Sequence, residues 1–347
     1  MPPKKGTVPF FVCVYNEGGI DMREMKLLPF EVNEIMENTE KIPEGIQLMK
    51  APAVWDESKR GQGVVVAILD TGCQVNHPDL KDRIIGGRNF TTDDFEHPDT
   101  YNDYNGHGTH VAGTIAASEN AQGLVGMAPQ VSLLILKVLD RYGNGGYENL
   151  IKAIDYALAW QGPAGQKVRI MSMSLGGDTD DPALHAAIVK AVDSGVLVVC
   201  AAGNTGQVEC QYPGGYNEVV GVGAVDLQKK LAPFSTMNKE IDVVAPGVDI
   251  ISTYPDNRYA SLSGTSMATP HVAGAAALII NQCEKDFERT LTESEIYAQL
   301  CKRTSALGYK KIKEGNGFLD LTVGYQIVLN PMCLEVAATA VKGEGAV

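Results

Sequence analysis

The sequence predicts an α/β fold of three layers, a doubly wound and mostly parallel sheet with helices on both faces, and two observations carry that prediction. Short apolar runs rich in β-branched residues recur at residues 64–69, 131–139, 168–174, 196–200 and 219–222. Runs without polar alternation suit strands covered on both sides, as parallel strands are. Between the runs the periodicity turns helical, with Leu150, Ile151, Ile154 and Leu158 in residues 148–160, and Leu184, Ala187, Ile188 and Val192 in residues 182–192. Residues 269–283 read as a buried helix rich in small side chains, and residues 292–301 as an amphipathic one.

Residues 1–50 lack this pattern and read as an arm; residues 51–330 form the body, and residues 331–347, ending in Gly, Ala and Val, read as a tail. Of the 347 residues 44% are hydrophobic and 20% charged, which excludes a wholly disordered chain. The net charge of −13, with no long basic run, argues against a nucleic-acid partner. No apolar run reaches the roughly 18 residues of a membrane span. The seven cysteines, among them Cys13, Cys73, Cys210 and Cys333, are odd in number and show no metal spacing, so they read as free thiols of a reducing, cytoplasmic compartment. Lys4 and Lys5 before the apolar residues 8–15 imitate a leader, but Pro9 and the absence of a small-x-small cleavage site argue against one.

Three motifs carry chemistry. Asp70-Thr71-Gly72 puts an acid at the carboxyl end of a central strand, where open α/β sheets hold their ligands; by itself it could equally be a turn cap. In Asn105-Gly106-His107-Gly108-Thr109-His110, glycines flank a histidine at the start of an apolar helix, and no acidic partner spacing supports metal ligation by the two histidines. In Ser263-Gly264-Thr265-Ser266-Met267, a serine follows a glycine into a helix, where first-turn N–H groups favour nearby negative charge. Asp70, His107 and Ser266 together supply acid, base and nucleophile.

These motifs resemble those of the subtilisin-like serine proteases, in chain order as well as in residues, and the similarity runs from about residue 51 to residue 329. The resemblance implies that Asp70, His107 and Ser266 form the triad and that Asn204, in Cys200-Ala201-Ala202-Gly203-Asn204, is an oxyanion donor with the Ser266 N–H. It implies that Gly143, Gly145, Ser174, Leu175 and Gly176 pair with an extended peptide and that Gly176, Ala201 and Gly203 wall the specificity pocket, closed by residues 209–213. The substrates would be unfolded proteins or peptides, taken with broad specificity. It further implies a calcium site at Asp79, Ser118, Asn120, Gln122 and Leu124. Within the family the chain is most similar to the intracellular type, which forms homodimers and carries a short inhibitory extension. Leu27-Leu28-Pro29-Phe30 matches that extension, and Pro29, with fixed φ and no N–H, would let the arm occupy the cleft with its peptide carbonyl out of reach.

Three rivals remain to be judged. Asp193-Ser194-Gly195 could pair with Asp70-Thr71-Gly72 as in aspartic proteases, although it reads as a helix end. A catalytically silent peptide-binding protein could share the fold. Dinucleotide binding lacks its glycine spacing after the first strand.

Overall fold

The computed structural model describes residues 24–36 and 40–324. The expectations for residues 1–21 and for the tail at 331–347 therefore lie outside the described residues. The arm supplies β1 (Glu24–Leu27), β2 (Glu31–Met36) and β3 (Glu40–Lys41), and runs into α1 (Glu44–Leu48). The body opens with β4 (Val65–Asp70), β5 (Ile84–Asn89), α2 (His107–Ala116), β6 (Gly123–Leu124), β7 (Ser132–Lys137), β8 (Asn144–Gly146) and α3 (Tyr147–Ala159). It continues through β9 (Val168–Met173), β10 (Leu175–Gly176), α4 (Pro182–Asp193), β11 (Leu197–Ala201), β12 (Val220–Val225) and β13 (Ile241–Pro246). Then follow β14 (Ile250–Tyr254), β15 (Arg258–Ser263), α5 (Thr265–Phe287), α6 (Glu293–Lys302), β16 (Thr304–Ser305), α7 (Lys311–Glu314) and β17 (Phe318–Leu319).

The central sheet has the order β16-β17-β13-β12-β11-β9-β4-β7-β5, and every pair but β16–β17 is parallel. Its strands split their side chains between two cores, as a period of two requires. Val66 and Ile68 of β4 face α2 and α5, whereas Val65, Ala67 and Leu69 face α3 and α4. The expected three layers are thus present. From β4 the chain first goes to the edge strand β5, then fills the gap between them with β7, and then passes to the other side of β4 with β9 and β11. The order reverses beside β4, and Asp70 ends that strand at the switch point.

Two boundaries differ from the sequence expectation. Ile46 and Met49 are buried in the core that holds α2 and α5, so packing extends the body back through α1, before residue 51. Helix α5 begins at Thr265, directly after Gly264 as the serine motif implies and four residues before the small-residue pattern read from 269, and it contains Pro270. An internal proline lacks the N–H for the carbonyl one turn back and ordinarily costs about 3 kcal/mol. Here the orphaned carbonyl is that of Ser266, and the Ser174 hydroxyl donates to it at 2.9 Å.

Two buried histidines contribute to the acid response. His110 and His271 are fully buried, and burial pushes their pKa values down to about 3 and about 4. Desolvation is the dominant cause for both, and it outweighs the carbonyls of Ile250 and Ala260 facing His110 and that of Met267 facing His271. Well above pH 6.5 both rings are neutral in either state and contribute no pH dependence. As the pH falls below that value the unfolded chain takes up protons that the native fold refuses, so stability drops. By pH 4.5 the loss is about 2–3 kcal/mol per histidine. Urea midpoints measured from pH 7 to pH 4.5 are expected to fall, and His271→Gln is expected to flatten the decline; an unchanged slope would remove this cause.

Candidate active site

Asp70 stands at the end of β4 and His107 at the first residue of α2, and both are almost wholly buried. The Nδ1 of His107 lies 2.8 Å from Asp70 Oδ1, which also accepts from the Thr71 N–H at 2.8 Å. A carboxylate acceptor fixes the proton on Nδ1 and leaves Nε2 as the basic nitrogen, which has no hydrogen-bond partner among the described residues. The close approach of β4 to α2 depends on glycine: a Cβ at Gly108 would collide with the Gly72 carbonyl, and Gly106 caps the helix at φ +104° with the Tyr254 ring against it.

Ser266 is the second residue of α5 and is buried. Its hydroxyl points at the Ser174 carbonyl, 3.3 Å away, and makes no hydrogen bond to His107. The acid–base half of the constellation is therefore formed, and the base–nucleophile half is not. Asn204 sits just beyond β11 with its side-chain oxygen pinned by the Thr265 N–H and hydroxyl, both at 2.8 Å. That pinning turns the amide nitrogen into the cleft, where it donates to the Pro29 carbonyl at 2.7 Å. A Cβ at Gly264 would lie 3.1 Å from this nitrogen and 3.7 Å from the Ser266 nitrogen, so both nitrogens border the space beside Gly264.

The arm fills that cleft. Strand β1 lies antiparallel between β8 and β10, pairing Met25 with Gly145, Lys26 with Asn144 and Gly176, and Leu27 with Leu175. The Leu27 N–H also donates to the Gly143 carbonyl at 2.9 Å. Leu28 is buried, and a Cβ at Gly176 would lie 3.0 Å from its Cδ2. Behind it, Gln211 reaches between Gly176 and Gly203: the Gln211 Cβ and Oε1 lie 3.5 Å and 2.5 Å from where those glycines would carry a Cβ. Ala201 ends β11 in the adjoining buried wall. Pro29 is exposed, and the Phe30 ring rests on His107 with centroids 4.9 Å apart.

In the loop expected to hold calcium, Asp79 is fully buried and accepts from Asn120 Nδ2, the Leu124 N–H and the Tyr259 hydroxyl, each at 3.0 Å. Asn120 Oδ1 accepts from the Gln122 N–H, and Ser118 Oγ is buried without a partner among the described residues. Among the described residues no group of three or more His, Cys, Asp or Glu side chains could hold a metal. One carboxylate, amide oxygens, a hydroxyl in want of a partner and loop carbonyls make an oxygen-only donor set, which fits a hard cation.

Several observations bear on the rivals and on residues that no motif announces. Asp193 is exposed at the end of α4, unlike the buried Asp70, and Gly195 follows at φ +83° as a helix terminator. His110 faces away from chemistry, its Nε2 2.9 Å from the Ile250 carbonyl. Cys73 is fully buried, and burial, followed by the nearby Asp103 charge, pushes its thiol well up, so it is shielded rather than reactive. Asp103 is a functional residue that sequence reasoning missed: its carboxylate accepts from the hydroxyls of Thr71 and Thr109 and the N–H groups of Asn105, Gly106 and Thr109, tying the end of β4 to the start of α2. Its only sequence signal is an acid four residues before the histidine. Thr265, which orients Asn204, is likewise hidden within a motif read for its serine.

Comparison with known proteins agrees with this geometry. The model of the subtilase family matches residues 61–320. An intracellular serine protease of Paenibacillus polymyxa is 55% identical over 305 residues, covering 86% of this chain and 91% of that protein. The major intracellular serine protease of Bacillus subtilis (strain 168) is 52% identical over 305 residues, covering 86% and 94%. Subtilisin DY of Bacillus licheniformis is 42% identical over 290 residues, covering 82% and 99%. A buried acid–histidine pair at the sheet's switch point, a serine opening a long helix beside an oriented asparagine, and this extent of identity place the chain in the subtilase family, as a subtilisin-type serine protease.

Proposed function

We propose that this serine protease is an endopeptidase of broad specificity for unfolded proteins, working through Asp70, His107 and Ser266 and held inactive by its own arm. The observation that carries the reading is Asn204, whose oriented amide already donates to a peptide carbonyl of a strand lying in the cleft. In the reaction, Ser266 Oγ bonds to the substrate carbonyl carbon while its proton passes to His107 Nε2. The C–N bond then breaks, His107 returns the proton to the leaving amine, and water releases the acyl group by the same proton relay. Asn204 and the Ser266 N–H act mainly on the charge that develops on oxygen, and this difference from the ground state lowers the barrier. Main-chain pairing with β8 and β10 accounts for breadth of sequence.

The arm occupies the place of a substrate with its register displaced. Leu28 fills the pocket, yet Asn204 holds the next carbonyl, that of Pro29, and Ser266 Oγ is turned to Ser174. The test is fluorophosphonate labelling before and after the arm is severed within residues 37–39. Ser266 is expected to react only after severing, together with the onset of casein hydrolysis. Labelling that is equally fast in the intact chain would refute the arm's role, and none in either form would favour the silent peptide-binding alternative. The relatives named as intracellular support a cytoplasmic location, and a homodimer is carried with the same reading.

Calcium is proposed at Asp79, Ser118, Asn120, Gln122 and Leu124, where it would supply positive charge to a buried carboxylate and cross-link the loop to the body. Binding to the native state alone raises stability by about 2.7 kcal/mol at a concentration of 100 Kd. The melting temperature is expected to rise in calcium and return in chelator, and Asp79→Asn is expected to abolish the difference; a melting temperature indifferent to calcium would exclude the site.

A further inference from the structure

The second strand of the arm marks a surface that the catalytic reading leaves unassigned. Strand β2 runs antiparallel to β15, pairing Glu31 with Ser263, Val32 with Leu262, Glu34 with Ser261, Ile35 with Ala260 and Met36 with Tyr259. The other edge of β15 is paired to β14, so β2 covers what is otherwise a free sheet edge. That edge is tied to the nucleophile, since only Gly264 and Thr265 separate Ser263 from Ser266. The arm therefore approaches along β8 and β10, crosses Asn204 and His107 at Pro29 and Phe30, and departs along β15.

The way β2 is held shows what kind of chain the edge accepts. Residues 31–35 of β2 are exposed, Val32 at 42% and Ile35 at 44%, so burial of side chains contributes little to their binding. Main-chain hydrogen bonds do the holding, as in other cases of strand addition to a sheet edge. The exception is Asn33, the extra residue where the register shifts between Ser261 and Leu262. Its amide donates to Ser263 Oγ at 2.9 Å and to the Asp249 carboxylate.

We propose that β15 is a substrate-binding edge, which takes up as an added strand the part of an unfolded polypeptide that follows the cleaved bond, over the pairs that β2 makes in the arm-covered form. This rests on the endopeptidase reading and deepens it. Each residue paired beyond the bond fixes the substrate against a strand that leads directly into α5, so the enzyme discriminates long extended chains from short peptides. Because the ladder is backbone to backbone, length is selected without restricting sequence, apart from a preference for a hydrogen-bond donor at the place of Asn33.

The experiment uses the full chain, folded intact, with residues 37–39 replaced by the recognition sequence of a site-specific protease so that the arm can be severed and removed. Two fluorogenic peptides share the residues before the scissile bond and carry two or seven residues after it. The longer is expected to show a kcat/KM higher by about tenfold or more, and N-methylation of its backbone in the distal segment is expected to erase the gain. A capped peptide of residues 31–36 is expected to compete with the longer substrate and leave the shorter untouched. Equal kcat/KM for both lengths overturns the proposal while leaving the endopeptidase reading intact; failure to hydrolyse either peptide overturns both.

Discussion

Alanine in place of Ser266 is expected to lower kcat about 10⁶-fold, and adding His107→Ala to that variant is expected to cost almost nothing more. The magnitude is the one established for the equivalent serine of subtilisin; the non-additivity follows from the arrangement of the residues. In the proposed mechanism His107 Nε2 accepts the Ser266 proton and passes it on to the leaving amine, and Asp70, 2.8 Å from Nδ1, would serve both steps by holding the proton there. Once the hydroxyl is gone the base has nothing to activate. Residual turnover should come from Asn204 and the Ser266 N–H, whose positions depend on Thr265 and the backbone and not on the deleted hydroxyl. Single-turnover rates and KM on the arm-severed chain would check this. A Ser266→Ala variant retaining more than about 1% of kcat, or a double variant slower by a further factor of about ten, would refute the proposed roles.

How much of the molecule is legible in the sequence depends on whether the information is local. The run ending in Asp70 is readable because a strand buried on both faces has no polar alternation to confuse it. The start of α5 is legible in the glycine before Ser266 but not in the small-residue pattern read from residue 269, because Pro270 argues against a helix locally, while the hydrogen bond that rescues it comes from Ser174, far away in the chain. Strand β5 is obscured because Gly86 and Gly87 interrupt its apolar run, and β15 because Arg258–Ser263 mixes polar and apolar residues without a clean period. The expected boundary at residue 50 falls too late because α1 is too short to declare a period, although Ile46 and Met49 reach the core. At the site, Asp70, His107, Ser266 and Asn204, the residues proposed as acid, base, nucleophile and oxyanion donor, are visible in motifs. The groups that orient them, Thr265 and Asp103, act through hydrogen bonds between segments and leave little mark in sequence.

Replacement of Pro29 by alanine is expected to turn the arm from an occupant of the cleft into a substrate, accelerating self-cleavage after Leu28 by on the order of 10²-fold, the effect of misplacing a reacting group by about 1 Å. Three observations lead there. Leu27 pairs in the ladder and Leu28 is buried against Gly176, the places proposed above for a substrate. Asn204, however, donates to the carbonyl of Pro29, one residue beyond the one that should receive it. Proline holds φ near −65° and offers no N–H, so the chain at this point has few ways to change its path. Alanine would restore that freedom and would allow the Leu28 carbonyl to move between Asn204 and the Ser266 N–H. Mass spectrometry should then find a new N-terminus at residue 29, appearing at a rate independent of protein concentration if the cut is made within one chain. The same substitution combined with Ser266→Ala should leave the arm intact, which separates self-cleavage from a contaminating protease. An arm that persists in Pro29→Ala for as long as in the parent chain would mean that the displaced register is maintained by β1 and β2 on either side, with the proline merely tolerated between them.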